Sequence, residues 1–208
     1  MDAAAREVTR EKAALRRELA ARLAALDPGA RARSAAAAGE RLLALPEVAG
    51  ARRIFTCLAF GDELDTWGLV DTWLASGREV YIPRADRRDG QIHVHRYPCA
   101  LRTLAFGLRQ PPDPRRGDPP STQIPDAEID TTLDVAVVLG LGFDRRGYRL
   151  GYGSGYFDRF LRGGGAGRPF PAVGLAFETQ LLERLPVAPH DVPMSVIVSA
   201  REVTRPIF

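Results

Sequence analysis

An α/β fold built on a mostly parallel sheet is predicted from three stretches of the chain. Residues 53–59 form a short apolar run, 67–75 a helical one closed by Gly77, and 79–82 a second apolar run. Strand, helix, strand over this length is a βαβ unit, whose strands lie parallel. Residues 134–139 (Asp-Val-Ala-Val-Val-Leu) are the clearest buried strand, ended by Gly140. Soon after comes a glycine-rich run, 149–159, ahead of a helical segment at 156–161. Ligands of open α/β sheets bind at the carboxyl ends of strands, which is where this run falls.

The remaining elements follow in order. Leu15, Leu19, Leu23 and Leu26 recur at helical spacing within 6–26, and Asp27-Pro28-Gly29 stops that helix. A second helix is expected over 34–45, with Ser34 as its N-cap and Pro46 as its stop. Residues 1–208 are expected to form a single domain, with the helices of 6–45 packed on it. Residues 91–97 alternate as an edge strand does, placing His93 and His95 on one face. With no third ligand near in sequence, they read as exposed strand histidines. The proline-rich passage 110–125 reads as a long loop and 163–167 as a flexible linker. A strand at 171–177, a short helix around Leu181 and a last strand at 196–199 complete the chain.

Composition narrows the partners. The 208 residues are 45% hydrophobic and 26% charged, as in ordinary globular proteins, and no apolar run is long enough for a bilayer. No membrane partner is therefore expected. The net charge of +3 is not gathered into a basic block, so no nucleic acid is expected, while a small anionic ligand suits it. Two cysteines without metal or redox spacing, and a start without a signal-peptide core, fit a cytoplasmic location. A monomer is expected. Of 29 basic residues 28 are arginine, which leaves Lys12 as the one lysine. It shares a helix side with Leu15, Arg16 and Leu19, at the edge of the buried stripe, and an ammonium is not interchangeable with a guanidinium.

The run Arg149-Leu150-Gly151-Tyr152-Gly153-Ser154-Gly155-Tyr156-Phe157-Asp158-Arg159 has a glycine at every second position from 151 to 155. Such backbone approaches a ligand closely and can aim successive N–H groups at phosphate oxygens. Its spacing is neither that of the P-loop nor of the dinucleotide fingerprint. On the residues alone, a tight strand-to-helix turn remains the other reading.

Lys12 to Arg16 (Lys-x-x-Leu-Arg), Gly61 to Thr66 (Gly-x-Glu-x-Asp-Thr), Phe106-Gly107-Leu108, Gly140 with Phe143-Asp144, the glycine–tyrosine run and Pro189-His190-Asp191 occur in that order. Together they resemble the 5-formyltetrahydrofolate cyclo-ligases (methenyltetrahydrofolate synthetases) over nearly the whole chain. The resemblance implies a Rossmann-like sheet with helices on both faces, ATP and Mg2+ as cofactors, and ring closure of a folate substrate. It implies that Lys12, Arg16 and Arg149, with residues 150–157 (Leu150, Gly151, Tyr152, Gly153, Ser154, Gly155, Tyr156, Phe157), bind ATP. Lys12, Arg149 and Tyr156 would be catalytic. Leu58, Glu63, Tyr152, Gly153, Ser154, Gly155 and Tyr156 would bind folate, and Asp158 and Asp191 would hold the metal. The chain departs from the family's pattern at Phe157 (usually tyrosine), Leu139, Gln110, Ala188, Ser195 and Ala200. These departures motivate a second reading, a non-catalytic folate- or nucleotide-binding paralogue. A third, a sugar-phosphate or acyl-CoA enzyme on a similar sheet, needs a nucleophile or carboxylate pair that the sequence does not place.

Overall fold

The computed structural model describes residues 3–113, 115, 122–163 and 167–206. Seven strands form the main sheet in the order β12-β11-β9-β6-β1-β2-β3. They are β1 (Arg53–Thr56), β2 (Glu79–Asp86), β3 (Gln91–Tyr97), β6 (Val135–Val138), β9 (Ala172–Leu175), β11 (Val196–Val198) and β12 (Val203–Thr204). The five from β11 to β2 run parallel, and β3 and β12 are antiparallel edges. Counted along the chain, the order reverses between β1 and β6. That is the switch point of a Rossmann-like sheet, where adjacent connections leave to opposite faces and open a crevice.

Period-two alternation sorts the strand side chains between two cores. Ile54, Val135, Val137, Val173, Leu175, Val196 and Val198 face one side. There they meet Leu19 and Leu23 of α1 (Ala3–Ala24), Ala38 and Leu42 of α2 (Pro28–Leu43), and Val70 and Trp73 of α4 (Trp67–Ala75). Phe55, Ala136, Val138, Ala172 and Ile197 face the other side, under Ile129 of α5 (Ile129–Thr132) and Phe160 and Leu161 of α6 (Tyr156–Arg162). Helices thus cover both faces, as expected. Among the described residues no helix is long and apolar enough to cross a membrane.

Several boundaries differ for identifiable reasons. The second helix starts at Pro28, not Ser34, because Asp27 caps it, accepting from the Ala30 amide at 2.8 Å, and Pro28 fills its first turn. The same Asp-Pro-Gly that ends α1 therefore begins α2, and α3 (Pro46–Ala49) follows directly. The strand at 79–82 runs on to Asp86, through Pro83, because it has β3 as an antiparallel partner. Around Leu181 the chain is a 3-10 turn (Glu178–Gln180) leading into a short strand, β10 (Leu181–Leu182), rather than a helix. β10 joins β7 (Gly142–Asp144) and β8 (Arg149–Leu150) in a small second sheet that the sequence reading did not include. β4 (Arg102–Thr103) and β5 (Arg109–Gln110) make a further two-stranded ribbon.

Within the proline-rich passage, positions 114 and 116–121 lie outside the described residues, as do 164–166 of the glycine linker. Thr122 and Ile124 are not irregular loop, since they bond to Arg96 and Val94 along the edge of β3. The two strand histidines are not exposed either. His95 is only 2% exposed, and burial holds its pKa down at about 4, so it is neutral. His93 bonds Asp89 at 2.8 Å and Gln123 at 3.0 Å. Asp86, Asp89 and His93 offer ligand atoms within 4.8 Å of one another, but the Asp86 carboxylate is already held by Arg84 and Arg115.

Candidate functional site

The two connections that leave the switch point build one site. After β1 the chain turns through Phe60, Gly61 and Glu63. After β6 it passes Gly140, runs out and back along β7 and β8, and enters the loop 151–155. The β7–β8 hairpin explains how the run is presented: Arg149 and Leu150 are buried strand residues, and the loop proper begins at Gly151. Leu150 therefore gives its side chain to the core and only its backbone to the site.

Arg149 is the floor of the loop. Its side chain is 4% exposed, and its guanidinium lies 5.2 Å from the Phe157 ring centre and 3.5 Å from Asp158. Burial draws its pKa down, while Asp158, Cys57 and Asp191 draw it up. Its Nε is buried with no partner among the described residues. Two glycines make room for it: a Cβ on Gly151 would stand 2.6 Å from Arg149 Nη1, and one on Gly140 would stand 2.9 Å from Arg149 Cγ. Above it, Gly153 and Gly155 have φ of 107° and 67°, which side-chain-bearing residues rarely adopt.

The loop's polar groups are divided unevenly. The Leu150 carbonyl accepts from the Leu141 amide at 2.7 Å, and the Gly151 carbonyl from Arg16 Nε at 2.8 Å. The Ser154 carbonyl accepts from Arg159 at 2.8 Å, and the Gly155 carbonyl from the Arg159 amide at 3.1 Å. None of the amides of residues 151–155 has a hydrogen bond among the described residues. A trans peptide points its N–H opposite to its C=O, so the held carbonyls turn the amides of 151, 152 and 155 the other way. A loop held in this way can cradle an anion.

Lys12 and Asp191, 179 residues apart in sequence, form a buried ion pair, with side chains 11% and 7% exposed. The same Asp191 oxygen accepts from the Ala188 amide at 2.7 Å, while the other has only His190 Nε2, at 3.8 Å, among the described residues. Asp158 accepts weakly from the Val192 amide at 3.3 Å, which sets it beside the Asp191 segment. A cleft of about 210 Å³ opens along Gly153–Gly155, with Asp158, Arg162 and His190 in its walls.

On the other side of the loop the lining is aromatic. Phe60 lies 5.6 Å from the Tyr152 ring and 5.9 Å from that of Phe106, which is 69% exposed on a left-handed backbone (φ 58°). The Tyr152 hydroxyl donates to Glu63 at 3.0 Å, and the Phe60 amide donates to the other Glu63 oxygen at 3.1 Å. Burial pushes the Glu63 carboxyl up to about 7, against the pull of those two donors. Phe60 and Phe106 were not singled out as site residues by sequence. Their signal is two phenylalanines beside glycines, with nothing local to show that they meet. Leu58 is core, 4% exposed. Tyr156 stands apart from Glu63, its ring 5.3 Å from the Arg159 guanidinium and packed on the second core. Burial pushes the Cys57 thiol up to about 12, so it is no nucleophile.

Fold and site thus define an α/β protein that presents a glycine loop whose amides are unpaired among the described residues, with cations on one side and aromatic rings around a carboxyl group on the other. Comparison with known proteins makes this specific. The model of the 5-formyltetrahydrofolate cyclo-ligase family matches residues 8–200, and the chain belongs to that family of ATP-dependent ligases of folate and one-carbon metabolism. The 5-formyltetrahydrofolate cyclo-ligase of Escherichia coli K12 is 30% identical over 171 residues, covering 80% of this chain and 87% of its own. That of Mus musculus is 28% identical over 204 residues, covering 94% and 96%. The solved structure of Aquifex aeolicus 5,10-methenyltetrahydrofolate synthetase superposes with a TM-score of 0.75 at 27% identity, over 93% of this chain and 92% of that one. Membership of this family removes the sugar-phosphate and acyl-CoA reading.

Proposed function

We propose that this chain closes 5-formyltetrahydrofolate to 5,10-methenyltetrahydrofolate, converting ATP to ADP and phosphate, with ATP on the cation side of the loop and folate on the aromatic side. The observation that supports the placement is the loop itself, with the Leu150, Gly151, Ser154 and Gly155 carbonyls held and the amides of 151–155 without a hydrogen bond among the described residues. The formyl oxygen attacks the γ-phosphorus and ADP leaves. The N10 nitrogen then attacks the formyl carbon and loses its proton, and the C–O bond breaks to release phosphate. Phosphoryl transfer needs positioning and charge neutralisation more than a protein nucleophile.

The residues divide that work. Lys12 keeps two donors beyond the one given to Asp191, enough to span two phosphate oxygens. Arg16 and Arg149 bring fixed positive charge above and below the cradle. Glu63 and Tyr152 meet the pterin's N–H groups, beside the Phe60 and Phe106 rings. Asp158 and Asp191 suit Mg2+: they are hard oxygen donors on adjoining segments, and one Asp191 oxygen has no close donor among the described residues. When bound, the ion would neutralise phosphate charge. A monomer with a single domain is part of this reading. Two free thiols fit the cytoplasm.

The non-catalytic alternative loses its motive, because the main departures have structural duties. The Phe157 ring packs 6.3 Å from the Phe55 ring and 5.2 Å from the Arg149 guanidinium. Gln110 accepts from the Ala85 amide at 3.2 Å and donates to its carbonyl at 3.5 Å, a pairing that a carboxylate cannot complete. The test is direct: purified protein, 5-formyltetrahydrofolate and Mg-ATP, with the methenyl product followed by absorbance. ATP-dependent product is expected; folate binding without turnover would establish the paralogue instead.

A further inference from the structure

Arg159 also lines the cleft along Gly153–Gly155, yet none of the roles above is assigned to it. It is exposed, on the first full turn of α6, yet two of its guanidinium nitrogens are bonded to the backbone. Nε donates to the Gly90 carbonyl at 2.7 Å, in the turn between β2 and β3, and Nη2 donates to the Ser154 carbonyl at 2.8 Å. The group lies across the Tyr156 ring, 5.3 Å from its centre. A Cβ on Gly155 would stand 2.9 Å from Nη1, so that glycine leaves space that the guanidinium fills, while one on Gly90 would be in ordinary contact, 3.5 Å from Nη2. No carboxylate pairs with it among the described residues, although α6 also carries Asp158, which turns toward Arg149.

We propose that Arg159 is a positioning residue of the nucleotide loop, holding the Ser154 carbonyl against the β2–β3 turn so that the Gly155 amide faces the phosphates. The reasoning is geometric. Glycine peptides flip readily, and a loop with glycines at 151, 153 and 155 has many backbone states. Arg16 removes that freedom at the Gly151 carbonyl, and Arg159 removes it at the Ser154 carbonyl. With both peptide planes set, the Tyr152 and Gly155 amides point away from their arginines before any ligand arrives. The β2–β3 turn becomes part of the site without touching substrate, as the fixed end of the clamp. A planar fork meets two diverging carbonyls better than an ammonium does.

This inference rests on the placement of ATP at the loop, and the test separates the two. ADP binding to the wild-type chain is measured by calorimetry, followed by steady-state kinetics of Arg159→Ala and Arg159→Lys with both substrates varied. Expected for Arg159→Ala is a rise of about tenfold in the KM for ATP and the Kd for ADP, the scale of a lost charged hydrogen bond. The KM for folate should stay within twofold and the thermal midpoint should hold. Arg159→Lys should recover part of the loss, and added guanidinium at millimolar concentration should recover part of it in Arg159→Ala. An unchanged KM for ATP, or equal rises for both substrates, overturns the role of Arg159 while leaving the ATP site standing. A wild-type chain that turns over folate with ATP yet is indifferent to Lys12→Ala and Arg16→Ala would remove the loop placement itself.

Discussion

The two sides of the glycine loop are built from opposite materials. The side of Lys12, Arg16, Arg149, Asp158 and Asp191 is a lattice of charges, mostly buried and already paired with one another. The side of Phe60, Phe106, Tyr152 and Glu63 is a set of rings around a single carboxyl group that burial pushes toward neutrality. Paired buried charges are costly to assemble and keep a fixed geometry, which suits a ligand whose charge must be met at defined points. Rings tolerate sliding and exclude water, which suits a flat heterocycle. One backbone serves both, because glycine lets either partner approach it.

The largest effect is expected on the charged side. Lys12→Ala should lower kcat/KM for ATP by ~10²–10³, the scale of removing one preorganised donor. Lys12→Arg should restore it only in part, since a planar fork does not fit where an ammonium spans Asp191 and phosphate. Full activity in either variant would break the division. Next, Asp158→Asn should raise the Mg2+ concentration for half-maximal rate by about tenfold. An unchanged metal response would take Asp158 out of the metal site.

On the aromatic side the expected effects are pH-dependent. The carboxyl of Glu63 has a folded-state value of about 7, above its ordinary 4.5. Its protonated form is therefore the one that folding favours. The stability it contributes is complete below about pH 4.5 and is lost as pH rises through about 7. Binding the pterin's donors needs the carboxylate, so kcat/KM for folate should rise over the same range. Glu63→Gln should flatten both profiles, measured by thermal melts and by initial rates from pH 5.5 to 8.5. A rate profile that keeps its rise in Glu63→Gln would assign the titration to another group. The smallest effect is expected at Phe157→Tyr, within about twofold in every kinetic constant, because the ring serves packing there. A large gain would mean that a hydroxyl is missed after all.

Much of this was legible in the residues. The β1–α4–β2 unit and the buried β6 strand follow from local pattern, and α4 lies at the residues expected for it. The glycine run was located too, though not its division into strand and loop, since the β7–β8 hairpin depends on pairing between short segments with no strong period. Ser34 was the wrong cap because Asp27-Pro28 can close one helix and open the next, and only tertiary packing shows that it does both. The Lys12–Asp191 pair spans most of the chain, so no spacing rule reaches it. The Phe60–Phe106 contact is hidden for the same reason.

The division between the two sides is tested most directly by full steady-state kinetics of Lys12→Ala and Glu63→Gln, with ATP and folate each varied. The expected result is a crossed pattern. Lys12→Ala raises the KM for ATP and leaves that for folate within about twofold, and Glu63→Gln does the reverse. Both constants moving together in both variants would contradict it, because the loop would then not separate the two substrates.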